Sequence, residues 1–160
     1  IALPLEVLAE AAGLQLTWDE VEGAAWLSTD QAQPASASYP AEDLYWLSRI
    51  ISAESRGEPL LGQIAVGNVI LNRVESSQYP DTVEGVVFDT KYGVQFQPVS
   101  NGTIYDAPAS SSLVAAKLCL EGTDVVGESL YFFSPALSAG RWIVSNATYY
   151  TTIGGHQFYV

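Results

Sequence analysis

Residues Leu60–Val74 (LLGQIAVGNVILNRV) constrain this chain more than any other stretch, because they are apolar almost all the way round a helix. Such a helix needs neighbours on every side, so it reads as the buried centre of a domain. Just before it, Glu42–Ser55 (EDLYWLSRIISAES) reads as an amphipathic helix when turned by about 100° per residue. Leu44, Leu47, Ile50 and Ile51 then share one face, with Glu42 and Arg49 on the opposite side. Glu54 falls inside the apolar stripe, angularly between Leu47 and Ile50. A carboxylate turned toward a core is costly when ionised, so it is paired, hydrogen-bonded or held protonated. A carboxyl held protonated near neutral pH is what a general acid needs. A core glutamate tied to Arg56 or Arg73 is the competing reading.

Gly57 and Pro59 separate the two helices, leaving Glu58 to serve the N-terminus of the second electrostatically. Pro80–Asp81–Thr82 marks a helix start ahead of VEGVVF, and Ser110–Leu120 reads as a helix closed by Gly122. Between them, residues 89–107 show no clear period and read as a long loop carrying Gly93, Pro98 and Gly102. LYFFSP (130–135) and RWIVSNATYYTTIGGHQFYV (141–160) are rich in aromatic and β-branched residues and read as short strands. Residues 41–160 are therefore expected to form an α+β domain, mainly helical, with a small C-terminal antiparallel sheet. Residues 31–40 (QAQPASASYP) read as a linker. Residues 1–30 read as a helix ended by Gly13 and a hairpin turning at Asp19–Gly23. A helix and one hairpin cannot bury both faces unaided. The chain begins at Ile1 and contains no methionine, and it reads as a piece of a longer protein.

Acidic residues outnumber basic ones 18 to 6, for a formal charge of −12. That balance argues against nucleic acid and against anionic lipid, both of which are gripped by lysine and arginine. No apolar run approaches the length of a membrane span, so membrane insertion is not expected. Tyrosine and tryptophan are plentiful, with 9 and 4 copies, and together with Asn, Gln and Ser they suit an extended uncharged ligand such as a glycan.

The other candidates for chemistry are few. Cys119 is the single cysteine, which excludes an intrachain disulfide and a thiolate metal cluster. It lies late in an apolar helix, near the negative end of the helix dipole, where a thiol is deactivated; it reads as a small core residue. His156, in IGGHQF, is the single histidine and cannot build a typical zinc site alone. No metal or cofactor is expected from these patterns, although an all-oxygen site stays open. Glu54 is left as the one strong acid–base candidate. A lone catalytic carboxyl departs from the two-carboxylate scheme of most glycosidases and fits chemistry in which the substrate supplies the nucleophile.

Ile51–Pro59 (ISAESRGEP) followed by Gly62–Val74 (GQIAVGNVILNRV) resembles the cell-wall hydrolase family of the spore-cortex-lytic enzymes, SleB/CwlJ-like. The resemblance continues through Tyr79–Phe88, Gln95–Tyr105, Leu130–Pro135 and Ile153–Tyr159, all in the family's order. It implies a lysozyme-like, lytic-transglycosylase-like core that cleaves peptidoglycan glycan strands between N-acetylmuramic acid and N-acetylglucosamine. It further implies an extracytoplasmic location and places Glu54 as the catalytic acid and base. Ser134 stands where the family commonly has Asn, and Ser55 where Ala is frequent. The segment 1–30 resembles the closing helix and hairpin of copper amine oxidase N-terminal-like stalk modules, which implies a fragment whose other strands lie upstream.

Supporting residues follow from this picture. Gln63 and Asn68 are polar positions in an otherwise buried helix; they orient Glu54 or the substrate, or else they satisfy loop backbone. Phe96, Tyr131 and Trp142 are candidate walls of a sugar groove, and Gln95, Tyr105 and His156 candidate lining. Competing functions are a hydrolase acting on the same strands (muramidase or glucosaminidase), a non-catalytic peptidoglycan-binding module and, last, an amidase.

Overall fold

The computed structural model describes residues 9, 14–19, 24–28, 39–91 and 93–160. The chain divides into two compact units, Ile1–Ser38 and Tyr39–Val160. In the first, β1 (Gln15–Asp19) and β2 (Ala24–Ser28) pair antiparallel with Thr17 opposite Trp26. The helix expected before Gly13, the hairpin turn and residues 31–38 of the expected linker lie outside the described residues.

The second unit begins with α1 (Ala41–Ser55) and α2 (Leu60–Glu75). Three short helical pieces follow: α3 (Val83–Val87), α4 (Gln97–Asn101) and a 3-10 turn at Thr103–Tyr105. Next come α5 (Ser110–Leu120), β3 (Tyr131–Phe133), α6 (Arg141–Asn146), β4 (Tyr149–Ile153) and β5 (His156–Tyr159). The architecture is α+β, a helical core with one three-stranded antiparallel sheet in the order β3-β5-β4.

Helix α2 is apolar all round because it has a partner on each side. On one side it meets α1 and α5, in a core that includes Leu47, Ile50 and Ile51 of α1, Ile64 and Ile70 of α2, and Ala115, Ala116 and Cys119 of α5. On the other, Ala65 and Val69 pack with Val126 and Phe158, the latter from β5. Leu47, Ile50 and Ile51 are fully buried, each contributing about 1.5–3 kcal/mol by removing its side chain from water. Gly67 allows the three helices to converge: a Cβ there would stand 2.7 Å from Cys119 Sγ and 2.8 Å from Ile51 Cδ1. The polar residues of α2 brace the approach to the sheet. Asn68 Nδ2 donates to Thr123 O and its Oδ1 accepts from Val125 N, while Asn72 Nδ2 donates to Gly127 O and Ser129 O. Asn68 thus satisfies loop backbone.

Two expectations need correction. Residues 89–107 are not one continuous loop. Pro98 sits in the first turn of α4 and Gly102, with a φ of 83°, stops it; helices this short give no readable period. Residues 141–146 (RWIVSN) form α6 rather than a strand. The helix is held locally, with Asn146 Nδ2 donating to Trp142 O, and follows Gly140, whose φ is 52°.

Candidate active site

Glu54 lies in the last turn of α1, and Ser55, behind it, is buried with its hydroxyl bonded to Ile51 O at 2.7 Å. The Glu54 side chain is half-buried and makes no hydrogen bond or ion pair among the described residues. Burial alone raises its pKa above the usual 4.5, and no neighbouring charge or hydrogen bond contributes. The arginine-tied alternative is thereby overturned. Arg73 donates from Nε to Leu130 O at 2.8 Å and lies over the ring of Tyr79 at 5.0 Å. Arg49 lies over the ring of Tyr45 at 3.6 Å, and Arg56 is exposed. A cavity of about 250 Å³ beside the end of α1 is lined by Arg49, Ser52, Arg56 and Asp106 among others; Glu54 is not part of that lining.

The turn that follows Glu54 is fastened at two points. Gln63 Nε2 donates to Glu58 O at 2.9 Å and to Ser111 Oγ at 3.2 Å, while Gln63 Oε1 accepts from Ser112 Oγ at 2.8 Å. The backbone of Glu58 is thereby tied to the first turn of α5. The Glu58 carboxylate does more than serve the start of α2: its Oε2 accepts from Gly155 N at 2.8 Å, across 97 residues of chain. Its Oε1 lies 3.9 Å from His156 Nδ1, too far for a hydrogen bond. Burial lowers the His156 pKa below 6.5, opposed by the Glu58 charge, so the ring is neutral at neutral pH. Both glycines of the IGGH motif leave room for this contact. A Cβ on Gly155 would stand 2.8 Å from Glu58 Oε1, and one on Gly154 would collide with Oε2.

The expected site residues therefore fall into separate groups. Gln63 is 2% exposed and its amide is fully engaged, so it holds the Glu54–Glu58 turn and has no group left for a sugar. Phe96, 4% exposed, belongs to the helical core and cannot wall a groove. Gln95 donates from Nε2 to Gly93 O at 3.0 Å. Tyr105 is exposed and lies edge-on to Trp46 at 6.2 Å. Tyr131 and Trp142 stand together, ring centroids 5.6 Å apart. His156 is buried against Phe132 and the Glu58 carboxylate rather than offered to a ligand. Glu58 is the residue that sequence reasoning undervalues, since its partner cannot be located from local pattern. Cys119 is a core residue as expected, its thiol pushed up to about 12 chiefly by burial.

The sequence profile described as Cell Wall Hydrolase matches residues 57–159, well over half of the chain. The chain belongs to the cell wall hydrolase family. The spore cortex-lytic enzyme of Bacillus cereus is 40% identical over 105 residues, covering 66% of this chain and 39% of that protein. Its counterpart in Halalkalibacterium halodurans is 36% identical over 129 residues, covering 81% and 38%. The chain thus spans about four-tenths of the length of these relatives. Its fold matches the catalytic domain of the germination-specific lytic transglycosylase SleB from Bacillus anthracis, with a TM-score of 0.69 and 37% identity. That match covers 77% of this chain and 98% of the other. The catalytic domain of Bacillus cereus SleB matches with a TM-score of 0.68 and 34% identity. The family profile begins just after Glu54, so the case for that residue stands on its geometry. No helix among the described residues is long and apolar enough to cross a membrane.

Proposed function

We propose that this family member cleaves the glycan strands of peptidoglycan outside the cytoplasm as a lytic transglycosylase, with Glu54 as its single acid and base. The observation that carries the reading is Glu54 itself: a half-buried carboxyl without a cation or hydrogen-bond partner among the described residues, its pKa raised by burial alone. Such a group holds its proton to higher pH than an ordinary glutamate and can give it to a glycosidic oxygen.

The chemistry balances with one carboxyl. Glu54 gives its proton to the oxygen leaving N-acetylmuramic acid, and the bond between that oxygen and the muramoyl C1 breaks. The C6 hydroxyl of the same muramoyl residue then bonds to C1, and its proton returns to Glu54. A 1,6-anhydro ring closes, the acid is restored and no water is consumed. Glu58 does not enter as a second carboxylate, because its Oε2 is bonded by Gly155 N and its Oε1 faces His156. Residues 1–30 we read as the closing part of a stalk module, and 31–40 as its linker to the catalytic domain at 41–160.

Digestion of purified peptidoglycan in heavy-oxygen water tests the reaction class. New glycan ends that are anhydro and free of heavy oxygen support transglycosylation. Reducible ends carrying heavy oxygen establish a muramidase or glucosaminidase, and release of nothing despite binding establishes a non-catalytic module.

A further inference from the structure

Two of the chain's six lysine and arginine side chains meet at one cavity. It measures about 250 Å³. Helix α1 contributes Arg49, Ser52 and Arg56 to its wall, and the segment from α4 through the 3-10 turn contributes Asn101, Thr103 and Asp106. Positions 49, 52, 53 and 56 recur at the spacing that puts side chains on one face of a helix. Ala53 also borders the cavity, and Glu54, the next residue, projects about 100° further round α1. The cavity and the acid therefore share the last turns of one helix.

The lining holds more donors than it uses. Neither arginine forms an ion pair among the described residues. Arg49 is steadied by the Tyr45 ring and by a bond from Nη1 to Tyr45 O at 3.3 Å, while its Nε is buried and unbonded. Buried N–H groups ordinarily find a partner. Ser52 Oγ accepts from Ala109 N at 3.0 Å, which leaves its own hydrogen to give. Asn101 Oδ1 accepts from Thr103 N and Thr103 Oγ1, and its Nδ2 is unbonded among the described residues. Asp106 is the one carboxylate of the lining. Two guanidinium groups against one carboxylate leave a formal charge of +1 there, in a protein of −12.

We propose that this cavity binds a carboxylate on the peptide branches of peptidoglycan, beside the residue that cleaves the strand. The ligand class rests on the function proposed above; the existence of the cationic cavity does not. The amino sugars of a branched strand are uncharged and its ionised groups sit on the peptide branches, so two unpaired arginines are matched to the branches and mismatched to the sugars. Guanidinium groups grip carboxylates through paired, charge-assisted N–H bonds. A lining of +1 takes one carboxylate and disfavours a second, and Asp106 suits an ammonium group on the same branch. The reach is sufficient. A helix with its side chains is about 10–12 Å across, and an extended branch of about four residues spans about 13 Å. A strand lying at Glu54 can therefore set its branch in the cavity, and the branch then fixes which linkage faces the acid.

The test is an NMR titration of the intact chain with a soluble disaccharide-peptide from peptidoglycan, its carboxylates free or amidated. The side-chain N–H signals of Arg49 and Arg56 are assigned with Arg49→Lys and Arg56→Lys. The free acid is expected to shift both signals, and the amidated form to bind at least about tenfold more weakly. Arg49→Gln with Arg56→Gln is expected to weaken binding of the free acid about tenfold, and added salt to weaken binding by the wild type. Equal binding of the free and amidated forms, or shifts confined to other residues, overturns the proposal. So does inorganic phosphate binding more tightly than the free acid, which would assign the cavity to a phosphate polymer. On strands, the wild type is expected to show a KM about tenfold lower with branches than after an amidase has removed them, and the double variant to lose that preference; its retention by the double variant overturns the proposal. The two readings fail separately. Cleavage of strands without any response of Arg49 and Arg56 sinks the cavity and spares the transglycosylase, whereas a response without cleavage does the reverse.

Discussion

Alanine at position 155 isolates the contact that fastens the end of the Glu54 helix to the sheet. The added Cβ would stand 2.8 Å from Glu58 Oε1, about 0.6 Å inside the 3.4 Å at which ordinary contact begins. The carboxylate must retreat, which stretches its 2.8 Å bond from Gly155 N toward the limit at which such bonds weaken. Losing a surface hydrogen bond to a charged group and straining the carboxylate costs about 1.5–2 kcal/mol together. The φ of Gly155 is not in the left-handed region, unlike that of Gly154 at 59°, so alanine is not strained there. The stiffer unfolded chain returns about 0.5 kcal/mol. Gly155→Ala alone should therefore destabilise the protein by roughly 1 kcal/mol, lowering the melting temperature by about 3–6 °C. In a Glu58→Ala background the obstruction is gone, and the same substitution should be neutral or stabilising by about 0.5 kcal/mol, a coupling of about 1.5 kcal/mol. Urea denaturation of the four proteins, followed by circular dichroism, measures this cycle. Additivity within about 0.5 kcal/mol would refute the reasoning, because it would mean the two groups do not meet.

Other consequences are simpler. Because the folded state raises the Glu54 pKa above 4.5, folding takes up a proton, and wild-type stability should fall as pH rises from about 4.5 through the folded value. Glu54→Gln removes that loss and should be the more stable protein at neutral pH, the difference closing below pH 4.5; a constant difference across pH melts would contradict the assignment. Gln63→Ala breaks three buried or part-buried hydrogen bonds and should cost about 1–3 kcal/mol in denaturant titrations, with turnover falling at unchanged substrate affinity. Cys119, with its thiol pushed up to about 12 and only 3% exposed, should resist aromatic disulfide reagents in the native protein and react on unfolding. Rapid native labelling would refute its place between α2 and α5.

What is legible in the sequence follows the reach of the interactions involved. Helices α1 and α2 and the position of Glu54 are readable because a helical period is local, and both helices are long enough to show it. The short α4 and α6 are not, although their signals are present at Pro98, Gly102 and Gly140. Phe96 and Gln63 look like ligand contacts in one dimension because residue type does not separate an aromatic in a groove from one in a core. The burial of both settles the matter. Glu58 and Gly155 are brought together only by the tertiary fold, and the sequence shows their link as nothing more than a pair of glycines before a histidine. The row of Tyr131, Tyr159 and Tyr149 across the sheet is likewise invisible until strand register aligns it.

The charge of −12 presents a physical difficulty for any protein that must approach an anionic wall. Along the sequence the carboxylates end at Glu128, yet Glu58 reaches the β4–β5 turn at Gly155. Screening by salt shortens such repulsion to about 8–10 Å.

The release of soluble glycan fragments from purified peptidoglycan by Glu54→Gln, set beside the wild type, tests the central claim most directly. Glutamine keeps the size and polarity of the side chain but has no proton to give, so the rate should fall by about a hundredfold to ten-thousandfold with binding to the wall retained. Release by Glu54→Gln within about tenfold of the wild type would contradict the account, because the proton would then have to come from another group.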